Sequence, residues 1–169
     1  MLEETNEDIG KEKEMNIQDI KVDLRNIEYV QKIDDNVNYG FYLVDRAASS
    51  YLYAFVKSED GGLSWKVVSL FPATSEMYYG VFLDHDLGFA NFGPSNGLSL
   101  FKTSDCGSTW KTVTINIPEP NKHMLYVHDI KRKGESIELI LGNPSWVDSD
   151  KRIKYNSMDN GLSWHLIKE

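Results

Sequence analysis

The chain has a single cysteine, Cys106, among its 169 residues. A lone thiol excludes an intrachain disulfide and a cysteine-cluster metal site. Positive charge is scarce: 18 Lys and Arg stand against 26 Asp and Glu, a formal charge of −8. No basic stripe forms, so the sequence offers no support for nucleic-acid binding, and an acidic membrane surface would repel it. No apolar run is long enough for a transmembrane helix, and the N-terminus lacks the apolar run of a signal peptide. Two readings remain, a cytosolic protein and a chain whose export signal has been removed. No segment carries a helical apolar period.

The first stretch, "MLEETNEDIGKEKEMN", is polar and free of aromatics. Its six acids and two lysines (Glu3, Glu4, Glu7, Asp8, Lys11, Glu12, Lys13, Glu14) hold half of the net charge. Such a composition cannot bury enough surface to order itself. Residues 1–16 are therefore expected to be a flexible acidic tail, and 17–169 the folded domain.

That domain repeats itself. "SEDGGLSW" from Ser58 returns as "TSDCGSTW" from Thr103 and "SMDNGLSW" from Ser157. The shared residues are Ser58, Asp60, Gly62, Ser64 and Trp65; Thr103, Asp105, Gly107, Thr109 and Trp110; Ser157, Asp159, Gly161, Ser163 and Trp164. Trp65 to Trp110 is 45 residues and Trp110 to Trp164 is 54, a period that suits blade-like units of several strands. Each residue type has a hairpin role. Asp accepts backbone N–H groups, Gly takes a positive φ, the hydroxyls satisfy further backbone groups, and Trp covers the turn with apolar area. Period-two runs flank every copy, such as "SYLYAFVK" before and "WKVVSLF" after the first, and two more runs precede each hairpin. The expectation is an all-β fold of three four-stranded antiparallel blades over about 27–72, 77–118 and 123–169. The run "IQDIKVDL" at 17–24 reads as an extra strand or a lead-in segment.

The three boxes resemble the Asp-box, or bacterial neuraminidase repeat, and "VFLDHDLGFANFG" with "LSLFKTSDCGSTWKTV" resembles a whole blade of that β-propeller superfamily. Its members include sialidases, xyloglucan-degrading enzymes, Ycf-type photosystem assembly factors and the sortilin ectodomain. The resemblance covers about residues 27–169. It implies a propeller-type fold with the box on the turn between the third and fourth strands of each blade, at the periphery and far from catalytic centres. Asp60, Asp105 and Asp159 are then turn-makers, with no catalytic residue among them.

A sialidase-like site would need three arginines for a carboxylate, a tyrosine nucleophile with its glutamate, and an aspartate. The chain has Arg25, Arg46, Arg132 and Arg152 only, at spacings that match no such template. Three of them converging beside a Tyr–Glu pair would favour an enzyme, and scattered arginines a binding protein. No histidine pair among His85, His123, His128 and His165 has zinc-ligand spacing. The run from Asp34 through Asn36 and Asn38 to Asp45 has Tyr39 where a calcium loop needs Gly. No metal or cofactor is expected.

Trp146 lies in "LGNPSWVDSDK" with Asn143, Asp148 and Asp150, an aromatic among amides and carboxylates in a surface-type loop. These four are the ligand-binding candidates, set against packing of Trp146 onto its blade. The reading is a non-catalytic binding or interaction module for a glycan or a protein, secreted or tethered at the cell surface through its tail. The alternative is a degenerate or partial sialidase-like glycoside hydrolase. Cys106, at a turn tip, is expected to be an accessible free thiol. Three blades make an open arc, neither end of which reads as unusually polar. A homodimer closing a six-bladed ring, or residues 17–24 folded over the open side, would cover it.

Overall fold

The alternating runs form twelve strands in a computed structural model that describes residues 16–47, 50–95, 97–118, 125–143 and 152–168. The first sheet holds β1 (Ile27–Lys32), β2 (Asn38–Ala47), β3 (Ser50–Ser58) and β4 (Lys66–Ala73). The second holds β5 (Met77–Phe82), β6 (Leu87–Ser95), β7 (Gly97–Ser104) and β8 (Lys111–Thr112). The third holds β9 (Tyr126–Lys133), β10 (Ser136–Gly142), β11 (Ile153–Ser157) and β12 (His165–Leu166). Each sheet is an antiparallel meander in chain order. The three-blade, four-strand expectation thus describes the fold. β1 lies against β5, and β5 against β9, so the blades fan out from their first strands and carry the boxes on their outer hairpins.

Period two sends alternate residues of the middle blade into two separate cores. Toward the first blade, Phe82, Ala90 and Phe92 meet Tyr39, Phe41, Tyr53, Phe55 and Phe71. Toward the third, Leu87, Phe89 and Leu100 meet Val127, Ile130, Ile137, Leu139 and Leu141. Burying one such side chain fully contributes about 1.5–3 kcal/mol. Polar pins cross both seams. The Gln31 amide donates to Phe82 O at 2.6 Å and accepts its N–H at 2.7 Å. Tyr79 Oη accepts the Ile130 N–H at 3.0 Å, and Asn91 Oδ1 accepts the Val127 N–H at 3.0 Å.

The two ends of the arc differ. The register of β9–β12 sends Asp129, Lys131, Glu138, Lys154 and Asn156 to the face opposite Ile130, Leu139 and Tyr155. Lys133 Nζ reaches Glu138 at 2.6 Å and Lys131 Nζ at 3.8 Å. This face is charged, contrary to the expectation that neither end is polar. Of the two readings of 17–24, an extra strand or a lead-in segment, the strand is not formed. Instead η1 (Ile17–Asp19) and η2 (Leu24–Asn26) are 3-10 turns. Asn16 and Asp23 cause this by accepting the Gln18 and Arg25 N–H groups at 3.1 and 3.0 Å, which favours a local turn over a ladder. η1 packs against β4, and Ile17, Ile20 and Val22 are half-buried.

Candidate functional site

The three boxes share one hydrogen-bond plan. Ser58, Thr103 and Ser157 donate their hydroxyls to Asp60, Asp105 and Asp159 at 2.8, 2.7 and 2.7 Å. The same hydroxyls accept the N–H of Gly62, Gly107 and Gly161 at 2.8, 3.0 and 2.8 Å. Each Asp accepts the N–H of Ser64, Thr109 or Ser163 at 2.9 Å, and its second oxygen accepts that residue's hydroxyl. The side-chain bond from Ser64, then its N–H, holds Asp60 at about 2, and Ser163 likewise holds Asp159 well below the usual range. Burial pushes Asp105 up, but bonds from Thr109 and Thr103 outweigh it and keep it low. All the lone pairs that these carboxylates use point into their own turns.

Two successive residues of each box, rather than the Gly alone, have positive φ: Gly61 and Gly62, Cys106 and Gly107, Asn160 and Gly161. Each later box also seats on the preceding blade. A Cβ on Gly107 would overlap the Phe55 ring, and one on Gly161 would lie 2.8 Å from Phe89. Trp110 packs on Phe71 with ring centroids 4.7 Å apart, and Trp164 on Phe89 at 6.1 Å. Cys106 is the free cysteine expected at the turn tip, but it is less exposed than a tip position suggests. It is half-buried and its thiol donates to Asp86 Oδ1 at 2.9 Å. That bond, then burial, raises its pKa.

The β1–β2 and β5–β6 turns lie beside the boxes and repeat a second pattern that sequence reading passed over. Asp34 Oδ1 accepts the N–H of Asn36 and Val37, and Asp84 Oδ1 that of Asp86 and Leu87. The other oxygen of each meets a side chain from the next blade: Asp34 meets the His85 imidazole at 3.2 Å and Asp84 the Arg132 guanidinium at 2.6 Å. "DDNV" and "DHDL" carried the signal, an Asp followed three residues later by an apolar strand start. Asp34, Asn36 and Asn38 therefore serve a turn and the start of β2. Among the described residues no group of acids, histidines and cysteine could hold a metal ion.

The opposite rim carries a concave site with mixed chemistry. A cleft of about 520 Å³ between the first two blades is lined by Glu28, Tyr29, Arg46, Tyr53 and Glu76. β1 breaks register between Glu28 and Gln31, and Tyr29 takes φ +51° at this bulge, a costly conformation for an aromatic residue. Its hydroxyl donates to Met77 O at 3.1 Å, and Tyr53 Oη accepts the Met77 N–H at 3.1 Å. Arg46 pairs with Glu76 at 3.1 Å and lies 5.2 Å above the Tyr51 ring. Burial first, and then Glu28, raises the Tyr29 phenol above its ordinary pKa, so it stays a protonated donor. Tyr78, next to this site in sequence, is 46% exposed and its ring lies 5.4 Å from Tyr126.

The arginines do not converge. Arg46 lines the cleft, Arg25 pairs with Asp23, Arg132 reaches the far-rim turn at Asp84, and Arg152 precedes β11. Among the candidates at 143–150, Asn143 follows β10 and is half-buried; Trp146, Asp148 and Asp150 lie outside the described residues. β10 ends at Gly142, paired with Tyr126, at the same rim as Arg46 near the end of β2. The cleft residues were read from sequence as plain strand, because a bulge leaves no mark in a run such as "IEYVQK".

No protein-family model matches the sequence, and no curated protein matches it. Among solved structures, the chain is similar to a GH74 xyloglucanase from Xanthomonas campestris, with 15% identity, TM-score 0.50, and coverage of 79% of this chain and 19% of that one. It is similar to an α-L-arabinofuranosidase mutant from Fusarium graminearum held with an iminosugar inhibitor, with 16% identity, TM-score 0.50, and 85% and 48% coverage. A mutant of the Synechocystis apocarotenoid oxygenase gives 10% identity, TM-score 0.54, and 86% and 41% coverage. The chain spans less than half the length of each. These likenesses show a propeller-type fold, one that glycoside hydrolases also use, and identify the blade rather than an activity.

Proposed function

We propose that the chain is a non-catalytic binding module whose ligand is a glycan, or a protein surface of like chemistry, held at the Tyr29–Arg46–Glu76 rim. The observation that carries this is the cleft itself: the exposed Tyr29 ring beside two carboxylates and a guanidinium, with Tyr53 in the lining. Rings stack on sugar faces while the charged groups hydrogen-bond hydroxyls. Backbone strain at Tyr29 supports a functional reading of that residue. Asn143, which follows β10, is proposed as a second contact together with Trp146, Asp148 and Asp150. The Asp-box residues act structurally, since their oxygens are occupied within the turns.

The second reading, a degenerate or partial glycoside hydrolase, draws on Glu28, Glu76 and Tyr29 sharing one cleft. Against it stand the protonated phenol, the single arginine, and carboxylates open to water rather than in a water-excluded site. A glycan and polysaccharide binding panel, with hydrolysis assayed on the same panel, separates the two. Binding lost in Tyr29→Ala and Arg46→Ala without any turnover supports the module; turnover lost in Glu28→Gln overturns it.

We place the protein outside the cytoplasm with residues 1–16 as a tether, which fractionation of the full-length protein tests. A homodimer closing a six-bladed ring would press the charged β9–β12 face against the first blade of its partner, so the reading here is a self-contained arc. A mass of about 39 kDa by light scattering, twice the 19.4 kDa chain, would overturn that.

A further inference from the structure

Lysine faces lysine across the outer ladder in two blades: Lys57 opposite Lys66, and Lys102 opposite Lys111. Like charges directly opposite are destabilising, so each pair needs a counter-charge. The first blade supplies one. Glu59 meets Lys57 at 2.7 Å and Lys66 at 3.9 Å. In the second blade the residue at Glu59's place in the box is Ser104. Lys102 is only 9% exposed, yet among the described residues its ammonium has no ion pair or hydrogen bond.

Lys102 and Lys111 line a groove of about 420 Å³ between the second blade and the third box, with Ser104, Thr112 and Thr114. Asp105 lines it too, but its oxygens are taken by Thr103 and Thr109, and Asp159 is saturated by Ser157, Leu162 and Ser163. We propose that this groove binds a tetrahedral dianion, sulfate or phosphate, between Lys102 and Lys111. Two ammonium point charges match two negative charges, and hydroxyls donate to the remaining oxygens. Burial pushes the Lys102 pKa down, Asp159 partly offsets this, and Lys111 adds to the depression; a bound dianion would relieve it. The groove lies at the box end of the blades, away from the Arg46 cleft, and is independent of what that cleft holds.

The test is a titration of the full chain, followed by amide chemical shifts, with sodium sulfate, sodium phosphate and glucose 6-phosphate against sodium chloride at constant ionic strength. Saturable shifts confined to Lys102, Ser104, Lys111 and Gly161–Leu162 are expected, with at least a tenfold loss of affinity in Lys102→Met. Ser104→Glu carries the first blade's solution to the second at an exposed position. It should abolish binding while keeping the native spectrum, and Ser104→Gln should retain it. Tighter binding of glucose 6-phosphate than of the inorganic ions identifies an ester as the ligand, and equal binding a free ion; both support the site. Shifts that grow linearly and match those in chloride, or that persist in both Lys102→Met and Ser104→Glu, overturn it.

Discussion

The two seams of this molecule are built from the same turn and different cores. Between the first and second blades the filling is aromatic, with Phe55 ringed by Tyr39, Phe41, Phe82 and Trp110 at centroid distances of 5.1 to 5.7 Å. Between the second and third it is mainly aliphatic, with Leu125, Ile130, Leu139 and Leu141 fully buried. Yet both seams end in a box whose hydrogen bonds agree within 0.3 Å. The box fixes the direction of each blade locally, and the seam fills the space left over. Packing there needs the right volume, not one particular residue set.

The comparison breaks most visibly by emptying each core. Phe55→Ala should cost about 3–5 kcal/mol and Leu139→Ala about 2–5 kcal/mol. The phenylalanine loss should lie at the top of its range, because its ring also seats Gly107. Urea melts with unchanged m-values check this; equal losses would show that the aromatic contacts add nothing beyond volume.

A glycine series sharpens the point. Gly107→Ala combines a left-handed backbone, costing about 1–2 kcal/mol, with overlap on a packed ring, adding about 1–3 kcal/mol. Gly161→Ala meets Phe89 less closely, and Gly62→Ala meets only the Asn38 amide at 3.1 Å. The expected order of destabilisation is Gly107, Gly161, Gly62. Thermal melts giving three equal values would show that the boxes do not press on their neighbours unequally.

Much of this was legible in the sequence, for a physical reason. A box with five fixed residue types records its own turn, and a period-two run records its own strand. What joins the blades left weaker traces. The Gln31 and Tyr79 pins are single residues meeting backbone about fifty positions away. The Tyr29 bulge comes from a register slip that composition does not encode. The Lys102 groove was overlooked because its signal is a difference between repeats, Ser104 against Glu59.

A smaller effect is expected from the box carboxylates. Asp105→Ala strands the turn amides and should cost about 1–3 kcal/mol. Acid should reproduce it in all three boxes. A carboxylate whose folded pKa lies below its unfolded value of about 3.9 stabilises fully above that value and loses the contribution as pH falls through the folded one. With Asp60 at about 2, stability should stay level above about pH 5 and fall between there and pH 2. Denaturant melts across that window check the slope, and Asp105→Ala should flatten it. An equally steep fall in the variant would assign acid sensitivity to other carboxylates.

The smallest difference separates the two later box tryptophans. Trp110 Nε1 donates to Gly107 O at 3.0 Å and to Ser69 Oγ at 3.2 Å. Trp65 makes the equivalent bond to Gly62 O at 3.1 Å. Trp164 Nε1 is buried with no partner among the described residues. Replacing either later Trp by Phe removes a similar volume, so the packing cost is common to both and cancels in their difference. What remains is the N–H. Its loss at position 110 leaves two acceptors short, whereas at position 164 it removes a desolvated donor that gains nothing from folding. Trp110→Phe should therefore be the more destabilising by about 1 kcal/mol, read from paired urea melts. Equal losses would mean that Trp164 finds an acceptor in solution, and that the third box matches the second down to its indole.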